Sequence, residues 1–213
     1  MKRLLVPLLL LLVLLPVPAA EAAPLPAYRY TAKGIDAALA KRMQPSWRPG
    51  CPVPLRDLRY LTMSYVGFDG AAHTGEMVVH RDTAVKVVRV FYAHYTARFP
   101  VRRMRLVDDY AGSDDRSMAA DNTSAFNCRR VEGSTSWSLH AYGRAIDLNP
   151  VENPYVRGSY VDPPAGRPYA TRTPYRQGMV SGPCVQRFAA QGFGWGGSFR
   201  NSKDYQHFSI GGR

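Results

Sequence analysis

Two short stretches far apart in this chain carry side chains that together suit a metal ion. One is Ser138-Leu139-His140-Ala141-Tyr142-Gly143-Arg144-Ala145-Ile146-Asp147, which offers an imidazole and a carboxylate. The other is Asp204-Tyr205-Gln206-His207-Phe208, which offers a second imidazole and a spare carboxylate three residues before it. His140, Asp147 and His207 make three protein ligands, the number a catalytic zinc ion takes when one position is left for water. Asp204 is then the expected general base, taking a proton from the attacking water and returning it to a leaving amine.

The local pattern supports that assignment. With Ala145 to Leu148 extended, Ala145 and Asp147 point one way while Ile146 and Leu148 point toward a core. Gly143 permits a tight turn that brings His140 back over Asp147. Tyr205 and His207 are expected to share a strand face, with Phe208 packed inward. Arg129 is the candidate clamp for an oxyanion or a substrate carboxylate, with Arg130 as its rival, since adjacent strand residues face opposite ways. Ser138 is placed to orient the His140 imidazole, and Tyr205 and Trp195 to line a substrate cleft. His73, His80 and His94 read as satisfied surface or core residues. Asp108, Asp109, Asp114 and Asp115 read as a solvated loop.

The elements that must position these groups are legible in outline. A short helix is expected within residues 34–42 and a strand over 55–66. The turn Gly67-Phe68-Asp69-Gly70 leads to a second strand at 76–80, and the two form a hairpin. Asp82 is placed to cap a helix from Thr83 to about Phe99, with Val87, Val88, Phe91, Tyr92 and Tyr95 at helical spacing. Strands are expected at 104–107, 123–130, 143–148 and 207–210, and a short helix at 183–191. Residues 151–179 are rich in Pro, Gly, Tyr and Arg without a period, and read as a long loop of the kind that is functional or mobile. Helices and strands do not alternate regularly, so the expected class is α+β, a small central antiparallel sheet with flanking helices and long loops.

The N-terminus reads as a signal peptide over residues 1–22. Lys2 and Arg3 precede an apolar run from Leu4 to Val17, and Ala20-Glu21-Ala22 supplies the small-x-small cleavage pattern. The apolar run is shorter than the roughly 20 residues a membrane span needs, and Pro16 and Pro18 interrupt its end. An extended lead over 23–50 and a single domain over 51–213 follow. The formal net charge of +12 falls by one when Lys2, Arg3 and Glu21 are removed. The arginines are scattered and no nucleic-acid motif is present, so the charge points to an anionic cell wall, not to nucleic acid. A monomer without a membrane span after processing is the expected form, secreted or associated with the wall. Cys51, Cys128 and Cys184 allow one bridge in an oxidising compartment. Cys128 lies beside Arg129 and is expected to stay reduced, which leaves Cys51–Cys184 as the expected pair.

Ser138-x-His140-x-x-Gly143-x-Ala145-x-Asp147, followed by Asp204-x-x-His207, resembles the M15 metallopeptidases. That family includes D-alanyl-D-alanine carboxypeptidases and dipeptidases and phage L-alanyl-D-glutamate endopeptidases. Phe126-Asn127-Cys128-Arg129 and the run on to Asn149-Pro150 look most like the endopeptidase branch, as does Asp204 where many of the carboxypeptidases carry Glu. The resemblance extends weakly from Cys51 to Ile210. It implies a hedgehog-like zinc fold, His140, Asp147 and His207 as Zn2+ ligands, Asp204 as base and Arg129 as the polarising arginine. The substrate it implies is the peptidoglycan stem peptide. The alternative is a zinc-stabilised wall-binding module of the same fold without catalysis.

Overall fold

The structure is a computed structural model describing residues 23–211. The expected signal peptide therefore lies outside the described residues. Instead of one central sheet, three small antiparallel sheets organise the chain. The first is made by β1 (Tyr30–Lys33), β2 (Leu58–Val66) and β3 (Ala72–His80), in that order. The β2–β3 hairpin turns where Gly67 and Gly70 were expected to turn it, and β2 is buried from both faces, Leu61 and Met63 in the main core and Leu58 in a second apolar cluster. Helix α1 (Ala37–Arg42) is capped by Asp36, whose carboxylate accepts from the Leu39 N–H. The helix falls within the expected 34–42, and the segment read as an extended lead also contributes the strand β1.

Helix α2 (Ala84–Thr96) packs Val87, Val90 and Phe91 into the main core. Each such side chain contributes about 1.5–3 kcal/mol of transfer free energy when fully buried. Asp82 does not cap it. Thr83 occupies the N-cap position, and its hydroxyl instead donates to the carbonyls of His80 and Gly143. That second bond ties the α2 start to the loop after His140. His94 is buried as expected, held by the Val90 carbonyl, with Cys184 Sγ 3.1 Å from its other nitrogen. Burial lowers the His94 pKa to about 4 and pushes the Cys184 thiol up to about 12, so both are neutral core groups.

The expected strands at 104–107 and 123–130 are absent; only isolated bridges, Met104 to Thr123, Ser124 to Asp147 and Arg130 to Trp137, remain. Residues 108–121, read as a solvated loop, contain α3 (Asp114–Ala119), capped by the Ser113 hydroxyl. Asp109 and Asp115 are exposed as expected. Asp108, however, accepts from the Ser46 N–H and hydroxyl, and Asp114 pairs with Arg129. The long excursion at 151–179 holds a short hairpin, β5 (Tyr155–Arg157) and β6 (Tyr160–Asp162).

The other two sheets carry the functional groups. β4 (Ala145–Asp147), β9 (His207–Ile210) and β7 (Phe193–Trp195) form one, in that order. β6, β5 and β8 (Lys203–Asp204) form the other. Helix α4 (Gly182–Ala189) covers the first of these, with Phe188 stacked on Phe208 at a 3.7 Å centroid distance.

The disulfide corrects the expected pairing. Cys51 bonds Cys128, and Cys184 is free and buried. The reason is the division of the apolar residues. Cys184 belongs to the main core with Phe91 and Phe188, whereas Cys51 and Cys128 meet in a second cluster around Met43 and Leu58. The bridge joins residues separated by 77 positions and fixes the segment entering the site. Replacing both cysteines by serine is expected to lower unfolding free energy by about 4 kcal/mol on the chain-entropy account, measured by denaturant titration. Serine at Cys184 removes no crosslink and acts only through the core.

Candidate metal centre

Strand pairing sets the site. In the antiparallel β4–β9 pair, Asp147 lies directly opposite His207 and Ile146 opposite Phe208. Opposed residues project to the same face with Cβ atoms about 4.5–5.5 Å apart. Asp147 and His207 thus meet on one face, while Ile146 and Phe208, both essentially fully buried, anchor the other. Asp147 is held from its second side by paired backbone bonds with Ser124, at 2.9 and 3.0 Å.

His140 reaches the same point from a one-turn 3-10 segment, Leu139–Tyr142. Ser138 caps that turn, its hydroxyl accepting from the His140 N–H at 3.3 Å. Gly143 ends it with a left-handed φ of 63°, and a Cβ there would lie 2.5 Å from the backbone nitrogen of His80. Only glycine meets both conditions without displacement.

His140 Nε2 stands 3.1 Å from Asp147 Oδ2 and 3.3 Å from His207 Nδ1, and His207 Nδ1 stands 3.1 Å from Asp147 Oδ1. All three donor atoms lie within 4.8 Å of one another. The His140 Nδ1–H donates to the Ala125 carbonyl at 2.6 Å, which leaves Nε2 as the lone-pair nitrogen facing the cluster. The set of two imidazole nitrogens and one carboxylate fits a zinc-like divalent cation.

Electrostatics sharpen the picture. Burial alone would raise the Asp147 carboxyl, but the charges and hydrogen bonds of His140 and His207 outweigh it and hold it well below the usual carboxylate range. For His207 burial disfavours the charged form, yet the bond to Asp147 and the charges of Asp147 and Asp204 prevail, and its pKa rises. The imidazoles stabilise Asp147 as an anion, the form a carboxylate takes when it ligates a metal ion.

Asp204 ends β8, whose backbone pairs with Tyr155 of β5; the chain then bends through Tyr205 and Gln206 into β9. The bend moves the chain from one sheet to the other, so Asp204 and His207 stand on different supports around one centre. Asp204 Oδ1 is shut off from solvent and has no hydrogen-bond partner. Burial pushes this carboxyl up to about 6, opposed by the charge of His207. A sheltered carboxylate oxygen without a partner costs free energy, which marks Asp204 as a residue kept for more than packing.

The remaining expected residues fall into place unevenly. Of the two arginines, Arg129 turns inward: its charge acts on Asp204 and His207, and Nη2 lies 2.6 Å from Asp114 Oδ2. Arg130 turns away and lies over the Trp137 ring at 3.5 Å. Tyr205 does not share a strand with His207. It sits in the bend, with the Arg172 guanidinium over its ring and its carbonyl accepting from Trp195 Nε1 at 2.9 Å. Trp195 therefore braces the bend from β7.

Sequence reasoning missed Gly196, Ala125 and Asp114. For Ala125 no sequence signal exists, because its contribution is a backbone carbonyl. Asp114 follows Ser113 at a readable helix start, a serine cap with an acidic first turn. Gly196 has an ordinary φ, but a Cβ there would lie 2.6 Å from the Asp204 carbonyl, 2.9 Å from Asp204 Cβ and 3.2 Å from His207 Cβ. Gly196→Ala is expected to push both residues outward, lowering kcat/KM about 100-fold and stability by about 1–3 kcal/mol. Paired kinetic and thermal-melt measurements separate the two effects.

The sequence comparisons agree with this geometry. No curated protein and no solved structure matches the chain significantly. Residues 132–210 match the family described as D-alanyl-D-alanine carboxypeptidase, a span that contains His140, Asp147, Asp204 and His207. Over residues 132–210 the match supports a peptidase of the M15 metallopeptidase type.

Proposed function

We propose that this protein is an exported zinc peptidase that hydrolyses the stem peptides of peptidoglycan. The observation that carries the reading is the unpartnered, sheltered Asp204 oxygen beside the His140–Asp147–His207 cluster. A module that only bound wall would gain nothing from a costly orphan carboxylate at that point.

His140, Asp147 and His207 would hold the zinc ion. When bound, zinc supplies a Lewis acid and brings the pKa of water down to about 7. Asp204 accepts the proton of the attacking water as the water adds to the scissile carbonyl carbon. It then delivers that proton to the amine nitrogen as the C–N bond breaks, and the carboxylate is restored for the next turnover. Arg129 presents a guanidinium to the carbonyl oxygen as negative charge builds there, or to a substrate carboxylate. Ser138 and Ala125 hold the His140 ring in its working orientation.

Export rests on the leader read in residues 1–22, and no helix among the described residues is long and apolar enough to cross a membrane. The Cys51–Cys128 bridge fits an oxidising compartment. The strongly positive charge favours an anionic wall.

The test is digestion of purified muropeptides followed by mass spectrometry, with and without a chelator. Chelator-sensitive loss of a terminal D-alanine identifies a carboxypeptidase. A new D-glutamyl amino terminus identifies an endopeptidase cutting after L-alanine. Intact muropeptides in the presence of zinc would overturn the reading.

A further inference from the structure

The backbone at Arg129 is fixed by the neighbouring Cys51–Cys128 bridge and by the Ser138 N–H, which donates to the Arg129 carbonyl at 3.1 Å, but the side chain, 31% exposed, has few ties of its own. Nη1 has only a 3.5 Å contact with the Arg130 carbonyl, and the buried Nε–H has no partner. An arginine side chain carries about 2 kcal/mol of rotamer entropy, so a guanidinium this loosely tied would spend much of its time in solvent.

One contact prevents this, the 2.6 Å pair between Arg129 Nη2 and Asp114 Oδ2. Asp114 is itself firmly placed. It is the first residue of α3, directly after the Ser113 cap, and α3 is seated by buried Ser117 and Met118. The Asn127 amide donates to the Gly112 carbonyl at 3.3 Å, tying the loop before α3 to the segment that carries Arg129. The Asp114 side chain is 21% exposed, so the pair is partly sheltered from screening. The Asp114 charge also reaches His140 and Asp147, which places it beside the metal cluster.

We propose that Asp114 is a positioning residue. Its carboxylate holds the Arg129 guanidinium at the mouth of the site, so that the exposed part of the guanidinium donates to an oxygen of the bound peptide. The inference rests on the peptidase reading for its kinetic consequence, though the geometric relation can be tested without it.

Two measurements decide it. In the first, kcat/KM on a muropeptide is measured for Asp114→Ala, Arg129→Ala and the double variant, each with its zinc content. Asp114→Ala is expected to lose about 10- to 100-fold, on the scale of a misplaced catalytic group, with zinc content unchanged. The double variant is expected to match Arg129→Ala, because Asp114 acts only through Arg129. Asp114→Glu should recover part of the loss. Losses that multiply in the double variant, or wild-type kinetics in Asp114→Ala, would overturn the proposal. In the second, the Nε–H resonance of Arg129 is followed in 15N-arginine-labelled full chain and identified by its loss in Arg129→Lys. It should exchange slowly in the parent and merge with the exposed arginines in Asp114→Asn, a variant that keeps the side-chain size. An unchanged resonance in Asp114→Asn sinks the positioning role. If the parent chain cleaves no muropeptide, the peptidase reading fails, while the resonance still decides whether Asp114 holds Arg129.

Discussion

Asp204→Asn is expected to lower kcat on stem peptides by about 10²- to 10⁴-fold, the range over which a positioned acid–base group contributes, and to leave zinc binding intact. The separation follows from where Asp204 stands. It is not one of the three converging donors, and the strand that presents it is paired to β5, not to the ligand-bearing β4. Asparagine keeps the shape and can still contact water, but it cannot take a proton. The loss should therefore appear in kcat and kcat/KM together, with KM little changed. Glutamate at 204 keeps the basic group and should retain part of the activity. Wild-type turnover in Asp204→Asn would remove Asp204 from the mechanism; loss of zinc in the same variant would make it a ligand.

The second large effect concerns the ligands. His207→Ala is expected to release the metal and reduce activity by more than about 100-fold, since changing even a partner of a ligand costs 10- to 100-fold. Elemental analysis of the dialysed variant and a hydrolysis assay check this together. The apo chain should still fold, because the opposite face of β9 is anchored by Phe208 against Phe188 and needs no ion. His94→Ala tests the distinction between ligand and core histidine. His94 is as buried as His140, each 2% exposed, but packs against Phe99 and Phe188, so its removal should cost stability and leave zinc content unchanged.

How much of this was legible depends on whether the controlling interaction is local. Alternation around Ala145-Ile146-Asp147-Leu148 and the glycine at 143 declare which way the ligands face, and the β2–β3 hairpin and α2 declare themselves by turn residues and helical spacing. The failures have a common physical source. Residues 123–130 were read as a strand, but they lie between β3 and β4 with single backbone bonds, such as Phe126 N–H to the Val78 carbonyl, in place of a continuous ladder. The disulfide was misread because a second apolar cluster, drawn from the segments around Met43, Val53, Val78 and Phe126, brings Cys51 to Cys128, a joining of distant segments that no local pattern reveals. Asp114 was placed in solvent because four acidic residues between polar neighbours look alike until a helix turns one of them toward Arg129.

Zinc-edge anomalous diffraction from crystals of the zinc-loaded protein tests the central claim most directly. One strong peak bonded to His140 Nε2, His207 Nδ1 and an Asp147 oxygen is the predicted result, with Asp204 near the ion but unbonded to it. A peak at any other group of side chains, or none at these three in a crystal that holds zinc elsewhere, would contradict it.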